Sequence, residues 1–274
     1  MQVPRFWSPP AGTLGAIVEQ TTQRVAALLA RRSELERALE QSPAAVPFGA
    51  ALRGPQIRVI AEVKRRSPSR GTIKVDLDAA DQAAAYEAGG AAAISVLTEP
   101  VHFGGSNGDL LAVRARVAIP VLKKDFHLDA VQLLEARTLG AAAALIIARA
   151  IPPVTLRGLV AYADAIGLET LVEVRSADEL DRALDAGARV IGVNCRDLET
   201  LDVDAAVAER VMERMPSGVV GIWESGILTA ADVARAGAAG ADAVLVGSAV
   251  SAAADPAAAV RALSSTPRRE GARD

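Results

Sequence analysis

The sequence predicts an α/β protein, a (β/α)8 TIM barrel with an additional N-terminal helical segment. Three observations lead there. From Ile57 onward, eight short apolar strand candidates alternate with helical stretches of similar length. A glycine recurs at helix-to-strand junctions, in Ala88-Gly89-Gly90-Ala91, Leu139-Gly140-Ala141, Ala186-Gly187-Ala188 and Ala239-Gly240-Ala241. These fall before the second, fourth, sixth and eighth strands, as a repeated helix terminator would. The length, 274 residues, suits one barrel. A doubly wound sheet is the alternative, but it would not need eight near-equal units.

In chain order, residues 1–12 read as a loose arm. Between Thr13 and Gln41, Leu14, Ile17, Val18, Val25, Leu28, Leu29, Leu35 and Leu39 recur at helical spacing, an amphipathic helix that Ser42, Pro43 and Pro47 end. The strands expected are Ile57–Lys64, Ala92–Leu97, Ile119–Lys124, Ala143–Ala148, Glu169–Val174, Val190–Asn194, Val219–Glu224 and Ala243–Gly247. Helices are expected near Leu77–Ala88, Asp109–Ala118, Asp129–Leu139, Val154–Ile166, Ala177–Ala186, Val203–Met215, Ala230–Ala239 and Pro256–Leu263. Ser176 with Glu179, and Thr229 with Asp232, read as N-terminal caps. The expected organisation is a single domain over 1–274: arm and capping helix in 1–50, barrel in 51–264, and a flexible polar tail in 265–274.

Composition narrows the functional class. Hydrophobic residues make up 51% of the chain and aromatic residues 3%, so an aliphatic core is expected. A net charge of −3 and a pI near 5.6 argue against nucleic acid as a partner. One cysteine, Cys195, excludes an intrachain disulfide and fits a reducing compartment. The N-terminus lacks a secretory layout, and the longest apolar run, Leu139 to Ala148, is too short to span a bilayer. A cytoplasmic protein with no membrane partner is expected. Two histidines and one cysteine make no zinc constellation, and no dinucleotide or Walker motif is present, so neither metal nor cofactor is expected.

Barrel enzymes place their chemistry where the strands stop. Here those ends carry Glu62 and Lys64 on the first strand, Lys124 on the third, Glu173 on the fifth, Asn194 and Arg196 at the sixth, and Glu224 and Ser225 at the seventh. Glu62 and Lys64 share parity and leave the strand on one face. An internal ion pair is the bland alternative, but barrel cores are normally branched and apolar. Ser225-Gly226 and Gly247-Ser248 follow the seventh and eighth strands, where barrels commonly hold a phosphate, and Ser67 offers a further hydroxyl. Cys195 has no histidine partner and reads as a small buried thiol.

Taken in order, several segments resemble the indole-3-glycerol-phosphate synthase family. They are Ile60-Ala61-Glu62-Val63-Lys64-Arg65-Arg66-Ser67-Pro68-Ser69-Arg70-Gly71, Phe103-Gly104-Gly105-Ser106, Leu122-Lys123-Lys124-Asp125-Phe126, Leu171-Val172-Glu173-Val174, Gly192-Val193-Asn194-Cys195-Arg196-Asp197, Glu224-Ser225-Gly226-Ile227 and Leu245-Val246-Gly247-Ser248. The resemblance implies a cofactor-free carboxy-lyase of tryptophan biosynthesis. It would convert 1-(2-carboxyphenylamino)-1-deoxyribulose 5-phosphate into indole-3-glycerol phosphate, carbon dioxide and water. By the same resemblance Lys124 is the general acid, Glu173 serves the dehydration, and Lys64 holds the substrate carboxylate or shares proton donation. Glu62 and Asn194 orient them. Ser67, Gly226, Gly247 and Ser248 take the phosphate. Pro68, Phe103 and Leu145 line the slot for the aromatic ring, with Arg196, Glu224 and Ser225 at its polar side. Other tryptophan-pathway enzymes are the implied protein partners.

Two further expectations concern the site's electrostatics and shape. Lys64 and Lys124, if brought close, would each depress the other's pKa, and Glu62 and Glu173 would then decide which one remains charged. Trp223 stands where the family tends to have a small residue, and would narrow the mouth. The rival readings are another sugar-phosphate barrel enzyme, including a Schiff-base aldolase using Lys64 or Lys124, and a barrel that only binds a phosphorylated ligand.

Overall fold

A computed structural model describes residues 7–69 and 71–268. Eight strands form the barrel: β1 (Arg58–Val63), β2 (Ala93–Leu97), β3 (Val121–Lys124), β4 (Ala143–Ile147), β5 (Glu169–Val174), β6 (Val190–Asn194), β7 (Val220–Glu224) and β8 (Ala243–Val246). All neighbouring pairs are parallel, and β1 pairs with both β2 and β8, which closes the ring. The strands lie within the expected ranges, rich in aliphatic residues and largely buried on both faces, as a parallel sheet covered by helices requires.

The connecting helices are short and sharply bounded. Asp78, Ser106, Asp129, Ser176, Asp204, Thr229 and Asp255 each accept a first-turn backbone N–H. Thr229 and Asp232 make the full reciprocal cap. At Ser176 only half of it forms, because the Glu179 carboxylate accepts from the N–H of Arg175 instead. The recurring terminators adopt left-handed backbone, with φ of 93° at Gly90, 83° at Gly140 and Gly187, and 99° at Gly240.

Three expectations change at the chain ends. The single N-terminal helix is two, α1 (Gly12–Leu29) and α2 (Arg32–Glu40). The turn between them leaves Leu35 packed with Val25, Val131 and Leu134 in a satellite cluster. The arm is anchored where it is described: Trp7 Nε1 donates to Arg149 O at 3.2 Å, and Arg149 donates back to Ser8 O at 2.6 Å. The polar tail starts later than Ser265, because Ile57 N donates to Thr266 O and Arg268 N to Pro55 O. Residues 1–6 and 269–274, the rest of the expected arm and tail, lie outside the described residues. A small hairpin, Arg66–Ser67 with Gly71–Thr72, was not anticipated. Among the described residues no helix is long and apolar enough to cross a membrane.

Candidate active site

The carboxyl ends of the strands surround a cavity of about 260 Å3, roofed by Thr13, Leu14 and Ile17 of α1. Every candidate residue lines it. Glu62 and Lys64 come from β1 and its loop, Lys124 from β3, Leu145 from β4, Glu173 from β5 and Asn194 from β6, with Arg196 just beyond. Glu224, Ser225 and Gly226 follow on β7, Gly247 and Ser248 after β8, and Ser67, Pro68 and Phe103 come from the first two loops. The register explains the convergence: Asn194 is paired with Glu224, and Glu173 with Gly192.

Five charged groups form one connected centre. Lys64 Nζ lies 2.8 Å from Glu62 Oε1, and Lys124 Nζ is 3.4 Å from Glu173 and 3.6 Å from Glu224. Asn194 Nδ2 donates to Glu173 Oε1 at 3.1 Å, while its Oδ1 accepts from Ser225 Oγ at 2.8 Å and from Arg196 N at 2.9 Å. Those two bonds fix which end of the amide faces Glu173.

The carboxylates overturn the expected electrostatics of Lys124. Burial alone would lower its pKa, but Glu173, Glu224 and Glu62 together raise it well above the ordinary lysine value. The expected mutual depression of the two lysines therefore fails at Lys124, which stays an ammonium ion. Burial also pushes Glu62 upward, yet Lys64 and Lys124 outweigh it and hold that carboxyl below its usual range. Glu224 goes the other way. Burial, then repulsion from Glu173, raises it well above the ordinary carboxyl value.

Two glycines make room for these charges. A Cβ on Gly192 would overlap Glu224 Oε1 and lie 3.0 Å from its Cδ. A Cβ on Gly247 would overlap Glu62 Oε1 and lie 2.6 Å from Lys64 Nζ. Sequence reasoning named Gly247 for a phosphate and missed this steric role; Gly192 it did not single out at all.

It also missed the clamp behind Lys124. Asp125, 4% exposed, accepts two bonds from Arg24 of α1 at 2.8 and 3.1 Å and one from Thr98 at 2.7 Å. Arg24 donates to Thr21 as well, so the roof helix is tied to the residue after the lysine. The Arg at that point of α1 carried no local signal, since its partner lies 101 residues away.

Trp223 does not narrow the mouth. It has the opposite strand parity from Glu224, is 2% exposed, and does not line the cavity. Cys195 is fully buried, and burial pushes its thiol up to about 12, an inert group.

A closed (β/α)8 barrel with ammonium and carboxylate groups converging at its carboxyl-terminal mouth defines a barrel enzyme of acid–base chemistry. The profile of the family described as indole-3-glycerol phosphate synthase matches residues 14–263. Proteins of that name are similar over most of the chain. "Indole-3-glycerol phosphate synthase 1" of Streptomyces coelicolor is 51% identical over 225 residues, 82% of this chain and 83% of that protein. The Mycobacterium leprae protein is 48% identical over 253 residues, 92% of this chain and 93% of that protein. Among solved structures, 3-hexulose-6-phosphate synthase aligns with a TM-score of 0.62 at 19% identity, covering 76% of this chain and 98% of that one, a likeness of fold. The chain belongs to the indole-3-glycerol phosphate synthase family, carboxy-lyases of tryptophan biosynthesis.

Proposed function

We propose that the chain closes the indole ring of 1-(2-carboxyphenylamino)-1-deoxyribulose 5-phosphate, with loss of carbon dioxide and water. The observation that carries this reading is the meeting of Lys124, Glu173, Glu224, Glu62, Lys64 and Asn194 around one cavity in a chain of this family.

The ring carbon bearing the carboxylate attacks the sugar ketone. Lys124 delivers a proton to the oxygen as it becomes an alkoxide, a far stronger base than the amine left behind. Departure of carbon dioxide returns the bonding pair to the ring and restores its aromaticity. The new hydroxyl then leaves as water with a second proton, while Glu173 removes a hydrogen from the adjacent carbon to set the ring double bond. Glu224, its carboxyl pKa raised by burial beside Glu173 and 3.6 Å from Lys124, is placed to resupply the lysine.

Lys64, paired with Glu62 at 2.8 Å, is assigned to the substrate carboxylate. Pro68, Phe103 and Leu145 form the apolar wall for the ring. Ser67, Gly226, Gly247 and Ser248 sit at the rim where a phosphate would bind. We assign the enzyme to the cytoplasm, beside the other enzymes of the pathway. The raised Lys124 disfavours an aldolase that uses this lysine, since an imine forms from the free amine and the ammonium form is favoured here.

The test is to follow indole absorbance on adding the carboxyphenylamino substrate to wild type and to Lys124→Ala. Wild type turns over, and the variant loses at least about a hundredfold in kcat. Unchanged turnover in the variant removes Lys124 from the proton transfer.

A further inference from the structure

We propose that Trp223, outside the cavity, is a positioning residue of the active site that acts through the backbone of Ser225. Its indole Nε1 donates to the carbonyl oxygen of Ser225 at 3.1 Å. Ser225 has φ of 68°; among the described residues only it and Leu201 hold a positive φ without being glycine. That region is unfavourable for a side chain bearing a Cβ, and a residue persists there when its surroundings over-determine it.

Glycine would relieve the strain but would remove the hydroxyl, which donates to Asn194 Oδ1 at 2.8 Å. Asn194 in turn donates to Glu173 at 3.1 Å. The indole N–H is thus the outermost link of a line running through Ser225 and Asn194 to the carboxylate beside Lys124. With that link removed, Ser225 is free to relax toward right-handed backbone, which withdraws its hydroxyl. Asn194 Oδ1 then keeps one donor, Arg196 N, and the amide is no longer locked toward Glu173.

The inference rests on the role given above to Asn194 and Glu173, and the experiment separates the two. Trp223→Phe keeps a buried aromatic ring and removes only the donor. It is measured alone, in Ser225→Ala, and against Ser225→Ala by itself. Expected is a fall in kcat of about three- to tenfold for Trp223→Phe, with KM within about twofold and the pH profile of kcat displaced. In the Ser225→Ala background Trp223→Phe costs nothing more, because the line is already cut.

If Trp223→Phe matches wild type in kcat and pH profile while Ser225→Ala is impaired, the proposal is overturned alone. An equal additional loss in the Ser225→Ala background also overturns it, since Trp223 would then act by general packing. If Ser225→Ala itself is unimpaired, the reading of the site falls first and the proposal with it. Should Trp223→Phe fail to fold, the 15N-labelled indole N–H of wild-type Trp223 decides. It shifts with the midpoint of the kcat profile if the line exists, and a pH-independent resonance overturns the proposal. Trp7, bonded to Arg149, serves as the internal control.

Discussion

Replacing Arg24 by methionine tests the clamp between roof helix and barrel. The substitution keeps most of the aliphatic stem and removes two hydrogen bonds and a charge from Asp125. Stripping a partner from a fully buried ion pair costs about 3–5 kcal/mol. Arg24 is 32% exposed, so solvent screens part of the interaction, and Thr98 and Phe126 N still bond the carboxylate. A loss of about 1–3 kcal/mol follows, or roughly 2–5 °C in Tm for a chain of this size.

The pH dependence gives a second readout. Burial pushes Asp125 upward, but the bonds and charge of Arg24, with the charge of Lys123, hold its carboxyl well below the ordinary range. A depressed folded-state pKa contributes stability above the unfolded value, about 3.9, and that contribution drains away as pH falls below it. Thermal unfolding between pH 3 and 7 should therefore show a shallower acid limb in Arg24→Met. Leu14 and Ile17 of the same helix line the cavity, so KM should rise more than kcat falls. A variant matching wild type in midpoint, acid limb and KM would show that α1 is not held through this pair.

Other outcomes follow from the same geometry. Glu224→Gln should unfold at a higher temperature than wild type at pH 7–8 and at a similar one near pH 4. A carboxyl whose folded pKa is raised loses stability as pH climbs above its unfolded value, and the amide removes that loss. Gly192→Ala should fold at a cost of about 1–3 kcal/mol, seen in urea unfolding, and lose at least about tenfold in kcat, because the added Cβ displaces the Glu224 carboxyl. Lys123, 3% exposed, pairs with Glu135 at 2.7 Å on the outer side of β3. Lys123→Met alone should cost about 3–5 kcal/mol, whereas Lys123→Met with Glu135→Leu should be near neutral in the same unfolding assay.

Much of this protein was readable from the linear chain because the relevant physics is local. Apolar strands of four to six residues, caps such as Thr229 with Asp232, and the glycines at 90, 140, 187 and 240 act within a few residues of themselves. The eightfold alternation then leaves few closed architectures, and the strand-end charges fall at one rim because parallel strands all stop at the same side.

Only the tertiary structure decided what depends on distant neighbours. Strand parity could say that Trp223 and Glu224 point opposite ways, but not that the indole reaches back to Ser225. The pKa of Lys124 depends on Glu62, Glu173 and Glu224 from β1, β5 and β7; the sequence named the first two as deciding which lysine stays charged, but not that all three act on Lys124. The Arg24–Asp125 bond and the pairing of Thr266 with Ile57 join segments far apart in sequence. Electrostatic and steric terms of this kind vary with separation in space, which the order of residues does not contain until the barrel has closed.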